Sequence, residues 1–280
     1  MIITIPTTQI IDYISSKLDI LIIGKLLGAD LLGVYNLVKE LVLKVISLMN
    51  SIANKVALPF FAEMQNDTGL LGKTYCSFIS KISLVNFAIC VLLGALSPYL
   101  LVCLYGDSYS DAVLILTIMS VWGMLVSVGN PINNIIVSLG RTDISFKYVI
   151  IRLLITMPII YIAANNGLMI TAIATVVCEA IMLIISWYME LWKTIQLRFK
   201  QFFSVFFNDF IISILLIIVV NIIIMFLPHI NKYAGVALSF LITAFLYFFV
   251  YFFFRRQRIV DIKNLSNLIL SNLHNSKNNG

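Results

Sequence analysis

Lys17 and Asp19 interrupt the stretch SSKLDILIIGKLLGADLLGVYN (Ser15 to Asn36), which is largely apolar and also carries Lys25 and Asp30. The next apolar run carries Glu40 and Lys44, four residues apart, and Arg152 and Glu179 stand in two later runs. Charged side chains embedded in such runs have two uses: they neutralise one another, or they line a wet cavity. Glu40 and Lys44, at i and i+4, share a helix face and can pair along it. Lys17 and Asp19 are two residues apart and lie on nearly opposite faces, so at least one of them meets another helix or a cavity. Lys39 falls off the main polar face and is expected to snorkel outward.

These residues need elements that can hold charge inside hydrocarbon. The chain has 280 residues, 61% of them hydrophobic and 11% charged, against about 25% charged in a soluble domain. The deficit runs along the whole length. Several stretches reach the roughly 20 apolar residues that a spanning helix requires. They are long and continuous, unlike the short alternating strands of a barrel. The expected class is an all-α polytopic membrane protein with about eight spans: 8–28, 32–56, 77–104, 112–138, 146–164, 168–190, 208–227 and 234–254. The longest connections, 57–76 and 191–207, are amphipathic and suit the membrane surface. The net charge of +6 sits mostly in short connections, where it sets topology rather than marking a nucleic-acid partner. Lys55, Lys73 and Lys81, then Arg141, Lys147 and Arg152, then Lys193, Arg198 and Lys200 flank every second connection, and Arg255, Arg256, Arg258 and Lys263 follow the last span. Both termini are therefore expected in the cytoplasm.

Helical spacing gathers the polar residues into stripes. The first span carries Thr8, Asp12, Ser15 or Ser16, and Asp19. The second carries Asn36, Glu40, Lys44, Ser47, Ser51 and Asn54, with Lys55 beside its end. The fourth carries Ser120, Ser127, Asn130, Asn134 and Ser138 around Pro131, and the sixth Thr171, Thr175, Glu179 and Ser186. The last two spans are greasy almost all round. Spans one, two, four and six are expected to enclose something polar while the last pair faces lipid. No nucleophile–histidine–acid set, zinc-protease motif, phosphate loop or glycine-rich dinucleotide loop is present in the sequence, so the chain reads as no enzyme. Cys76, Cys90, Cys103 and Cys178 lie far apart and read as buried small hydrophobes rather than as a disulfide or metal site.

Leu18-Asp19, Gly24, Leu27-Gly28, Leu32-Gly33, Tyr35, Pro59, Gln65 and Asp67 together resemble the colanic-acid-exporter type of polysaccharide and lipopolysaccharide exporter. That type belongs to the multidrug/oligosaccharidyl-lipid/polysaccharide flippase superfamily. The likeness covers about residues 10–70 and beyond that rests on span order. It implies two six-helix lobes and two further helices around a central cavity. It also implies alternating-access export of an undecaprenyl-diphosphate-linked oligosaccharide across the bacterial inner membrane, for O-antigen, capsule or exopolysaccharide. The motif that usually opens the second lobe stands at the start of this chain. On that reading residues 1–190 are the second-lobe bundle, 191–207 an amphipathic cytoplasmic connection, 208–254 two peripheral helices and 255–280 a cytoplasmic tail, with the first lobe absent.

The same resemblance assigns roles. Lys17 and Lys44, with Lys55 and Arg152 at the cytoplasmic mouth, would hold the diphosphate as point charges. Ser127, Asn130 and Asn134 would bind sugar hydroxyls. Asp19, Glu40 and Glu179 would couple Na+ or H+, and no other cofactor or metal is implied. The implied partners are the lipid-linked oligosaccharide, membrane lipids, a glycan polymerase and glycosyltransferases, together with a separately encoded first lobe or a second copy. Two other readings stay open. One is a cation-coupled drug or metabolite antiporter of the same superfamily, and the other is a non-transporting membrane scaffold of glycan assembly.

Overall fold

The computed structural model describes residues 4–65, 67–226 and 231–254. The expectation for the 255–280 tail lies outside the described residues, as do the side chains of Thr8, Asp12 and Asn54. Among the described residues every regular element is helical. The order is α1 (Thr4–Leu26), α2 (Ala29–Glu63), α3 (Thr68–Tyr105), a short 3-10 turn (Asp107–Ala112), α4 (Val113–Ser138) and α5 (Thr142–Ala164). Then come α6 (Leu168–Ile195), α7 (Phe199–Met225) and α8 (Lys232–Phe254).

Local chemistry places the breaks. The Asp67 side chain accepts from the Leu70 N–H at 2.9 Å and caps the start of α3. At the end of α4, Gly140 adopts φ +68°. There the Gly140 N–H bonds to the Val137 carbonyl and the Arg141 N–H to the Ile136 carbonyl, both at 3.0 Å. This is the paired C-terminal closure that a left-handed glycine permits. Pro98, Pro131 and Pro158 lie within α3, α4 and α5, which continue through them.

Among the described residues six helices, α3 to α8, are long and apolar enough to cross a membrane. The other two, α1 and α2, are long enough but are interrupted by Lys17, Asp19, Lys25, Lys39, Glu40 and Lys44. The chain is an all-α polytopic membrane protein. Two boundaries differ from expectation. α2 and α3 have 35 and 38 residues, so each exceeds roughly 50 Å at the α-helical rise and outruns the bilayer core. The connection expected at 57–76 shrinks to Met64–Asp67, and the one at 191–207 to Gln196–Arg198.

α4 is the axis of the bundle: 67% of its apolar window is buried, against 17% for α5 and for α8. It packs on α2, α3 and α6. At Gly123 the helices come so close that a Cβ would lie 2.5 Å from Val42 Cγ1 and 2.9 Å from Ile46 Cδ1. Tyr35, Phe61, Tyr75, Phe87, Phe202 and Phe206 fill the main core. α1 packs on α5, and α5 on α6. Their shared apolar cluster is a separate, smaller one of Ile22, Ile160, Ala164 and Cys178.

α7 and α8 are tied to α3 more firmly than two greasy helices would be. Asn221 Nδ2 donates to the Gly94 carbonyl at 3.1 Å, and Tyr247 Oη donates to the Leu84 carbonyl at 2.8 Å. α7 buries Asp209 and Ser213, and α8 buries Ser239 and Thr243. Their outward faces are apolar, with Leu215, Ile222, Leu241, Phe245 and Phe253 exposed.

Candidate functional site

Positions 35, 38, 39 and 42 make the inner face of α2, because helical spacing turns them to one side. Two of the four are polar. Lys39 Nζ lies 2.6 Å from Asp19 Oδ2 of α1, and Tyr35 Oη donates to the same oxygen at 2.7 Å. The other carboxylate oxygen accepts the Ile20 N–H at 3.0 Å. Lys39 also donates to the Ser16 carbonyl at 3.0 Å and sits 5.6 Å over the Trp122 ring of α4. Tyr35 Oη is 3.1 Å from Thr175 Oγ1 on α6. Thr175 Oγ1 also lies 2.9 Å from the Thr171 carbonyl of its own helix, to which it donates. The buried pair is thus hydrogen-bonded on every side, which a charge removed from water requires.

A second ion pair, Arg152 Nη2 to Glu179 Oε2 at 3.4 Å, joins α5 to α6. Both pairs line one cleft, with Ser15, Ser16, Thr156 and Cys178. The cleft encloses about 40 Å³, room for two or three waters but not for a sugar or a diphosphate. Its two carboxylates and two cations leave it formally neutral. Among the described residues, no three His, Cys, Asp or Glu side chains come together to hold a metal ion.

A third pair also joins α1 to α2. Lys17 Nζ meets Glu40 Oε1 at 2.8 Å, with about a third of each side chain exposed. From there the outward face of α2 continues through Lys44, Ser47, Leu48, Ser51 and Lys55, all exposed. Ser47 and Ser51 donate to the Lys44 and Leu48 carbonyls of their own helix.

The structure therefore divides the residues expected at the site. Asp19, Arg152 and Glu179 share the cleft, and Lys17 and Glu40, which do not line it, pair with each other. Lys44 and Lys55 lie on the outer face of α2 and not in the cleft. On α4, Ser127 is fully buried and donates to the Met124 carbonyl, Asn130 is exposed and Asn134 half-buried. Glu40 pairs with Lys17 across helices, where the sequence suggested Lys44 along its own helix. Lys39, expected to snorkel outward, is 5% exposed because Asp19 and Ser16 hold it inward. Tyr35 and Trp122 had not been read as site residues. The available signal was Lys39 itself, a cation flanked on the inner face by Val38 and Val42, which demands a buried partner.

Residues 3–114, from α1 to the start of α4, match the family described as polysaccharide biosynthesis protein. The lipopolysaccharide biosynthesis protein WzxC of Escherichia coli (strain K12) is 26% identical over 207 residues, covering 74% of this chain and 42% of WzxC. The amylovoran biosynthesis protein AmsL of Erwinia amylovora is 33% identical over 153 residues, 55% of this chain and 39% of its own. The teichuronic acid biosynthesis protein TuaB of Bacillus subtilis (strain 168) is 24% identical over 210 residues, 74% of this chain and 43% of its own. The chain thus spans about two fifths of the length of these relatives. No solved structure matches. The stretch that carries the sequence resemblance lies inside the matched residues, and over this part the chain is similar to polysaccharide biosynthesis proteins.

Proposed function

We propose that this chain forms one wall of a hydrophilic path by which a lipid-linked oligosaccharide crosses the bacterial inner membrane during polysaccharide biosynthesis. The observation that carries this reading is the outer face of α2. Lys44, Ser47, Ser51 and Lys55 are exposed along it beside the Lys17–Glu40 pair, whereas α7 and α8 turn apolar residues outward. A lysine-bearing face is costly against acyl chains, so it faces protein or water. Lysines suit a diphosphate as point charges, which fits an undecaprenyl-diphosphate carrier, and Asn130, also exposed, suits sugar hydroxyls. The length of the relatives leaves room for a second bundle to supply the opposite wall, and alternating access is then rocking of the two about the path. The neutral cleft around Asp19 and Glu179 is the proposed place where H+ or Na+ enters the cycle. The basic connections support a cytoplasmic side for both termini, the side on which glycosyltransferases would deliver the substrate, and on this reading the chain acts as a transporter rather than an enzyme.

Water access tests the wall directly. Single cysteines at position 44 and position 245, in a background lacking the four native cysteines, are treated in intact membranes with a membrane-impermeant thiol reagent. The expected result is labelling at 44 and none at 245. Equal protection of both removes the path. Complementation of a flippase-deficient strain, with this chain alone and alongside a full-length relative, tests transport, and K44A with K55A is expected to lower surface polysaccharide.

A further inference from the structure

The corner between α6 and α7 is built more elaborately than a link between spans requires. α6 winds into a π turn at Trp187–Trp192, a deviation from α geometry that often accompanies function. It closes with Lys193–Ile195 and turns at Gln196, whose φ of +52° is the one positive value among described non-glycine residues. Trp187 Nε1 donates to the Leu197 carbonyl at 2.9 Å across the turn, and Trp187 packs edge-on against Phe199 at 5.0 Å. Leu191, Ile195 and Leu197 are buried beneath. The corner is thereby fixed in shape.

Its two surfaces differ in charge. The single carboxylate between positions 186 and 207 is Glu190; it is 3% exposed and receives the Ser186 hydroxyl. Turned outward are Lys193, Arg198 and Lys200 and the rings of Tyr188, Trp192 and Phe199, exposed by 49%, 41% and 47%. Lys193 Nζ lies 4.8 Å over the Tyr188 ring. The start of α3 abuts the same place: Gly72 faces Leu197, and exposed Lys73 follows it in sequence.

We propose that this corner binds the phosphodiester headgroup of an anionic phospholipid. Arg198 offers a planar fork to phosphate oxygens, and Lys193 and Lys200 add point charges. The exposed rings lie at the end of two spans, where aromatic side chains sit at headgroup level, and they seat the glycerol and upper acyl region. A soluble anion needs no such apolar seat. Basic side chains at the bilayer surface act together in recognising anionic lipid. The site lies outside the cleft and off the outer face of α2, so it stands whether or not the chain transports a glycan.

The test reconstitutes the full chain in phosphatidylcholine vesicles containing either brominated phosphatidylglycerol or brominated phosphatidylcholine at the same fraction. Tryptophan quenching is read, with W192F identifying the reporter. Brominated phosphatidylglycerol should quench with an apparent preference of about tenfold, lost in the K193Q/R198Q/K200Q variant, kept in K147Q, and weakened by added salt. Equal quenching by the two lipids in the unaltered chain overturns the proposal, and so does a preference that survives the triple substitution or ignores salt. Displacement of the effect by soluble glycerol phosphate assigns the corner to a free anion and overturns it as well.

Discussion

Two ion pairs join α1 to α2: Asp19 with Lys39, and Lys17 with Glu40. The first is all but sealed from the surface, with side-chain exposures of 10% and 6%, and carries a tyrosine, a backbone N–H and a carbonyl as further partners. The second keeps about a third of each side chain exposed. The same chemistry on the same two helices thus divides into two jobs. A sealed pair fixes how the helices meet, because neither partner can be left alone. A pair open to the surface adds little to stability.

Breaking the inner pair should have the largest effect. K39M strands a carboxylate that Tyr35 alone cannot neutralise, and it is expected to cost about 3–5 kcal/mol, read as a lowered melting temperature in detergent. D19N/K39M should recover much of that loss. If the double variant melts no higher than the single, the pair is not the unit described here. Y35F removes the second donor to Asp19 and the contact with Thr175, for an expected loss of about 1–3 kcal/mol. E179Q weakens the partly exposed link from α5 to α6 by about 1–2 kcal/mol; a cost as large as that of K39M would make the two pairs of the cleft equivalent. The smallest stability effect is expected at the Lys17–Glu40 pair, where K17Q or E40Q should stay within about 1 kcal/mol while export in a complemented strain falls. A large melting shift with normal export would reverse the roles of the two pairs.

The helical class and all eight segments were legible in the sequence, since long apolar runs leave few alternatives. Where α2 ends was not, because Asn54, Lys55 and Pro59 read as the close of a span, whereas the helix continues through them to Glu63. The stripe through Glu40, Lys44, Ser47 and Ser51 was read correctly as one face. Its direction was not legible: a stripe fixes which residues share a side, but the neighbouring helix decides what that side meets. For α2 the neighbours α1 and α4 took the side with Tyr35, Lys39 and Val42, and the stripe was left outside. Asp19 and Glu179 reach one cleft through α1 packing on α5 and α5 on α6, a pairing that local periodicity does not encode.

Gly123 bears on how that outer face can shift. No side chain fits where α4 meets Val42 and Ile46, so the crossing has no soft layer in which one helix could slide past the other. The lysines of α2 are thus carried on a helix whose opposite face meets α4 at van der Waals distance.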